Sequence, residues 1–309
     1  MTKKTKISVL VPLYNEAEVI PKFFSELHDV MSSQPLSYEI IFVDDGSSDK
    51  SVEIINEYRK EYSFVRCIKL SRNFGKEIAM MAALDAAKGE AVVFIDADLQ
   101  DPPRLILDFI NLWQQGYENV YGLRVSRNED SYLKRTSASL FYRLFNRLSP
   151  LNMPENAGDF RLLGPKCVAA LKQCKDRKPF MKALYAWTGY SSVGVEYERP
   201  ARAAGTTKFN TFKLWNFALD GITANSTAPL RVWTYFGLFM ALISILLSVW
   251  FVIEYFITDR NPSGFYVTTL LLISFSAINY IVLGIFGEYL GRISEEIRDR
   301  PRYLKYDED

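Results

Sequence analysis

Ala91-Val92-Val93-Phe94-Ile95-Asp96-Ala97-Asp98-Leu99-Gln100-Asp101-Pro102-Pro103 is the stretch on which the reading of this chain turns. Five apolar residues in succession read as a buried strand. The strand delivers Asp96 and Asp98 to an edge where two carboxylates can face one cation. Carboxylate oxygens suit hard cations such as Mg²⁺ or Mn²⁺, which keep positions open for water and for the phosphates of a substrate. Gln100 adds a neutral oxygen on the same side. On the residues alone a second reading stays open, because Asp-x-Asp pairs also serve as turn residues and helix caps.

Working outward, the segments before this stretch repeat one unit. Residues 7–11 are an apolar run ending at Pro12, and residues 19–31 carry Val19, Ile20, Phe23, Phe24 and Leu27 at helical spacing. A strand over 38–43 meets the loop Asp44-Asp45-Gly46-Ser47-Ser48-Asp49, whose residue types suit a turn and an N-cap, and a helix over 50–62 follows. A strand over 65–70 and a helix over 75–87 precede the stretch quoted above, and Pro102-Pro103 opens a helix running to Gln115. Strands alternating with helices imply a parallel sheet covered on both faces. Ligands of such sheets bind beyond the carboxyl ends of the strands. Asn15-Glu16, Asp44-Asp45 and Asp96-x-Asp98 all fall at those ends.

Composition narrows the classes. With 309 residues, 49% of them hydrophobic, the chain can bury a large core, and a net charge of +1 argues against a nucleic-acid partner. Cys67, Cys167 and Cys174 show neither CxxC spacing nor even pairing, which speaks against disulfide and zinc scaffolds and for a reducing compartment. Residues 1–6 are polar and show no signal-peptide pattern. His28, the only histidine, is expected on the first helix, which leaves histidine base catalysis without a candidate unless that helix reaches the site.

Val11-Pro12-Leu13-Tyr14-Asn15-Glu16, Val43-Asp44-Asp45-Gly46-Ser47-Ser48-Asp49 and Asp96-Ala97-Asp98-Leu99-Gln100-Asp101-Pro102-Pro103, in this order, resemble the signature set of the inverting family-two glycosyltransferases. No GxGxxG follows the first strand, which sets aside a dinucleotide-binding dehydrogenase. The resemblance implies a GT-A-like, Rossmann-type α/β fold with a mostly parallel sheet and flanking helices. It assigns Pro12, Tyr14, Glu16 and Asp44 to a nucleotide-sugar pocket. Asp96, Asp98 and Gln100 are assigned to the diphosphate and a Mg or Mn cation. Ala157-Gly158-Asp159-Phe160-Arg161-Leu162-Leu163 is similar to the motif of the polyprenyl-phosphate branch that carries the catalytic base, here Asp159; a turn-capping Asp is the other reading. Arg161 is placed to orient Asp159 or a phosphate. Arg135 and Ser139, and more weakly Arg124, match the branch's acceptor-phosphate positions. Arg202 and Lys208, in Arg199-Pro200-Ala201-Arg202-Ala203-Ala204-Gly205-Thr206-Thr207-Lys208-Phe209, match its phosphate-contacting loop, although Thr206-Thr207 and Phe209 depart from the commoner form.

The second half reads as membrane-associated. Leu133, Leu140, Phe141, Leu144, Phe145 and Leu148 recur at helical spacing among Arg127, Lys134, Arg135, Arg143 and Arg147, which fits an amphipathic helix either in a membrane interface or packed on a core with a basic edge. Residues 232–256 and 266–290 are apolar runs of about 25 residues, about 37 Å each as helices, enough for a transmembrane hairpin. Arg260 lies alone between them while Arg231, Arg292, Arg298, Arg300, Arg302 and Lys305 lie outside, which places both termini in the cytoplasm. The expected organisation is a cytosolic catalytic domain over 1–205, a juxtamembrane loop and interface helix over 206–231, two spans over 232–290 and a cytosolic tail over 291–309. The expected location is the bacterial inner membrane, with a lipid bilayer as partner; the branch resemblance further implies a homotetramer. The resemblance thus implies inverting transfer of a hexose, foremost glucose from UDP-glucose, to undecaprenyl phosphate. GDP-mannose and UDP-amino-arabinose remain as other donors, and a non-catalytic nucleotide-sugar sensor or flippase partner as another class.

Overall fold

The computed structural model describes residues 6–125, 151, 154, 156–198, 235–236, 239, 242, 246, 249–250, 253, 257, 264–298 and 300–306. The chain divides into two units, one of Met1–Asn146, Leu151–Trp215 and Arg300–Asp309, the other of Arg147–Pro150 and Asn216–Asp299.

The first unit is built on the alternation its sequence predicts. Strands β1 (Ile7–Leu13), β2 (Tyr38–Asp44), β3 (Val65–Lys69) and β4 (Ala91–Phe94) are interleaved with helices α1 (Ile20–Ser32), α2 (Ser51–Glu61) and α3 (Lys76–Ala86). All of β1 and β4 is buried, as the uninterrupted apolar runs require of strands covered on both faces. Helix α4 is Leu105–Gln114 and starts beyond the position expected. Pro102 and Pro103 form the turn before it, their carbonyls accepting from Leu105 and Ile106. Next come β5 (Asn119–Arg124), β6 (Ala157–Leu163), α5 (Pro165–Gln173), α6 (Met181–Trp187) and β7 (Ser192–Tyr197).

The seven strands lie in the order β3-β2-β1-β4-β6-β5-β7. β1 pairs in parallel with β2 and β4, and β2 with β3; β6 is antiparallel to both β4 and β5, and β7 runs parallel to β5. The sheet is thus mostly parallel with one reversed strand near its middle. One face packs Phe23, Ile55 and Phe109 of α1, α2 and α4 against the sheet. The other packs Met80, Cys167 and Met181 of α3, α5 and α6. Register fixes the site: Val93 pairs with Leu162 and Phe94 with Arg161, so the same register continued two residues past β4 sets Asp96 opposite Asp159.

The tail returns to the sheet. Lys305 bridges Leu70, the Ser71 amide donates to the Leu304 carbonyl at 2.9 Å, and the Tyr306 amide donates to Lys69 at 2.8 Å. This short antiparallel segment pairs with the C-terminal end of β3, where unpaired backbone groups would otherwise face solvent.

In the second unit, the described positions between 235 and 257 are helical, and α7 (Gly264–Ile297) has 34 residues. Among the described residues no helix is long and apolar enough to cross a membrane. The expected span 232–256 lies largely outside those residues, whereas 266–290 falls within α7. The expected basic helix, with Arg135 and Ser139, lies outside them, as do Arg202 and Lys208.

Candidate active site

The carboxyl edge of β1, β2 and β4 gathers the residues expected to meet the nucleotide. Pro12 is buried within β1, pairing with Val43, while Tyr14 and Glu16 follow in the loop and Tyr14 is exposed. Asp44 closes β2, fully buried, with both carboxylate oxygens accepting from the Ser47 amide at 3.2 Å. Burial raises its pKa despite the Ser47 bonds.

The loops after β1 and β2 are knit together. The Asn15 amide donates to Ser47 Oγ at 2.8 Å, the Ser48 amide to Asn15 Oδ1 at 2.8 Å, and the Glu16 amide to Ser51 Oγ at 3.0 Å. Gly46 has φ +74°, and a Cβ there would lie 2.6 Å from the Arg72 carbonyl carbon, so the position requires glycine on both counts. Asp45 faces the other way and accepts from the Phe74 and Gly75 amides at 2.7 and 2.9 Å, fixing the loop that leads into α3.

That loop ends at Lys76, which the motifs in the sequence do not single out. Its ammonium lies 2.7 Å from Asp96 Oδ2 and 3.1 Å from Asp159 Oδ2. One cation therefore joins the Asp96 carboxylate past β4 to the Asp159 carboxylate on β6. Burial works to lower the Lys76 pKa, but the two carboxylates outweigh it and raise it. For Asp159, burial acts to raise the pKa, and Lys76, Lys182 and Arg161 together hold it well below the usual carboxylate range. Glu77 stands beside them, accepting from the Met181 amide at 2.9 Å, and burial followed by the Asp159 charge pushes it up to about 7.

Among the described residues no group of three or more His, Cys, Asp or Glu is arranged to hold a metal. Asp96 and Asp98 with Gln100 form a smaller donor set. Asp98 Oδ1 accepts from the Gln100 amide at 3.1 Å, and Asp96 is 27% exposed with an ammonium already against it. Two carboxylates and a neutral oxygen are the kind of donors that Mg²⁺ or Mn²⁺ takes while completing its shell from a diphosphate.

The remaining predicted residues are more enclosed than expected. Arg124 lies on β5, before the basic segment, donating from Nε to Tyr197 Oη at 3.3 Å and lying 3.9 Å from Asp101. Asp101 is buried and also accepts from Tyr197 Oη. Arg161 is buried, donating to the Gly158 carbonyl at 2.6 Å, with its guanidinium 3.6 Å from the Tyr185 ring centroid. It borders a cavity of about 160 Å³ also lined by Asn119, Lys182, Tyr185 and Ser192. Its charge helps to lower the Asp159 pKa. His28 packs among Phe24, Tyr62 and Phe64 on α1. Lys76 was legible by position, since it closes the loop at the carboxyl end of β3, the same edge as every acidic motif; Asp101 and Tyr197 are joined only by folding.

The mostly parallel α/β sheet, with Asp96 and Asp98 just past β4 and Asp159 on its reversed neighbour β6, has the GT-A-like architecture of a glycosyltransferase. The chain belongs to glycosyl transferase family 2, whose pattern matches residues 8–168. It is 44% identical over 299 residues to the SfII prophage-derived bactoprenol glucosyl transferase of Shigella flexneri, covering 97% of each chain. It is 41% identical over 302 residues to an uncharacterized glycosyltransferase of Synechocystis sp., covering 98% of this chain and 95% of that one. Mannosyl-3-phosphoglycerate synthase from Rubrobacter xylanophilus superposes with a TM-score of 0.49 at 18% identity over 75% of each chain.

Proposed function

We propose that this enzyme transfers glucose from UDP-glucose to a polyprenyl phosphate, with inversion, at the cytoplasmic face of a membrane. The observation that carries the reading is the Lys76 bridge between Asp96 and Asp159, which brings the donor-side edge and the acceptor-side strand to one point. Full-length similarity to a bactoprenol glucosyl transferase supports the choice of sugar and carrier.

Asp44, Tyr14 and Glu16 would hold the nucleoside, and Asp96, Asp98 and Gln100 would hold a divalent cation. Bound there, the cation supplies charge neutralisation for the departing diphosphate. An oxygen of the lipid phosphate attacks the anomeric carbon from the side opposite UDP; the new C–O bond forms as the bond to UDP breaks. A phosphate monoester has its second pKa near about 6 and is largely ionised at neutral pH, so little proton remains to be removed. Asp159, held strongly acidic, then serves to position the acceptor.

Membrane attachment is part of the same proposal. It is supported by the two apolar runs and by exposed Leu272, Leu283, Leu290 and Ile297 along α7. The test is incubation of the full chain with undecaprenyl phosphate and radiolabelled UDP-glucose, GDP-mannose or a UDP-amino-arabinose. Lipid-extractable label from UDP-glucose alone is expected. Label from another donor reassigns the sugar, and no product with any donor rejects the reading.

A further inference from the structure

Lys76 occupies a place where an unassisted lysine is disfavoured. It is the first residue of α3, where the partial positive charge of the helix dipole repels a cation. Two opposing carboxylates keep it there, at 2.7 Å from Asp96 and 3.1 Å from Asp159. Its backbone is anchored independently, through the bonds from Asp45 to the Phe74 and Gly75 amides. The nucleotide-side loop of β2 thereby sets where this ammonium stands.

The position conflicts with a loaded donor site. A divalent cation binds carboxylate oxygen at about 2.1 Å, and an ammonium within hydrogen-bond distance of the same carboxylate repels it. Both cannot hold Asp96 at full strength. Asp159 offers the ammonium a second anchor that metal binding leaves intact.

Resting on the donor-site reading above, we propose that Lys76 is the resident counter-cation of the donor-free site: it competes with the incoming divalent cation for Asp96 and, once displaced, stays with Asp159. Loading the donor then shifts a positive charge from the donor edge to the acceptor edge. Lys76 is a positioning residue in this scheme, acting on the acceptor through Asp159.

The experiment measures Mn²⁺ binding by electron paramagnetic resonance to the full-length protein, with and without UDP, for the wild type, Lys76→Met and Lys76→Arg; thermal melting confirms folding. Methionine keeps the length and removes the charge, so Lys76→Met is expected to bind Mn²⁺ about tenfold more tightly without UDP. Lys76→Arg keeps the competitor and is expected to stay within about threefold of the wild type. Unchanged or weaker binding by folded Lys76→Met overturns the competition, as does equal tightening by both variants, which would mark general loosening. If the wild type binds Mn²⁺ with UDP but Lys76→Met does not tighten, only the role of Lys76 falls. If no protein binds Mn²⁺ under either condition, the cation reading of the donor site falls with it.

Discussion

Asp159 shows how an ordinary carboxylate is assigned by its surroundings. Lys76, Lys182 and Arg161 keep it ionised across the working pH range, which makes it a poor proton acceptor. Transfer from a phosphate of pKa about 6 would run uphill. Asp159→Asn should therefore lower kcat by about a hundredfold or more through lost positioning, equally at pH 7 and pH 9. Recovery at high pH would show that proton removal matters instead. Glu77 carries the opposite sign. Its folded value near 7 lies above its ordinary 4.5, so the folded state holds the extra proton between those values. Its contribution to stability is fully present below about 4.5 and is lost as pH rises through 7. Glu77→Gln keeps an acceptor for the Met181 amide and should flatten the fall in melting temperature over that window. An unaltered pH profile of melting would remove Glu77 as its source.

Secondary elements divide into those the sequence makes plain and those it hides. β1 and β4 were legible because strands buried on both faces are mainly apolar, and β2 and β3 because their apolar residues run up to turns carrying Asp, Ser and Gly. β6 was not, because Gly158, Asp159 and Arg161 put a small residue and two charges on a strand in the middle of a sheet. These residues erase the strand pattern. The acidic motifs were legible because each is one short run at a strand end; the Lys76, Asp101 and Tyr197 contacts were not, because they join separate segments of the chain. The loop elements themselves are testable through Gly46. Gly46→Ala must adopt a left-handed conformation and push into the Arg72 backbone, costing about 1–3 kcal/mol and spreading the loops around Asp44. Melting and UDP titration should both register the change; wild-type values in both would show that the loops tolerate a side chain.

At the scale of the molecule, the chain closes on itself. Tyr303 Oη donates to Asp85 at 3.2 Å across 218 residues of sequence, and the Lys69 ammonium sits 4.5 Å from the Tyr306 ring centroid. Deleting residues 300–309 should lower the melting temperature by several degrees, at about 2–4 °C per kcal/mol lost, and promote association through the bared β3 edge. A truncated chain that melts as the wild type and stays dispersed would show that the edge needs no cover.

The same contact imposes an order on synthesis. The segment that meets β3 lies far downstream of it in the sequence, so β3 is synthesised well before its partner and that margin of the sheet stays open in the interval. A polypeptide cut short before residue 300 would keep that margin open.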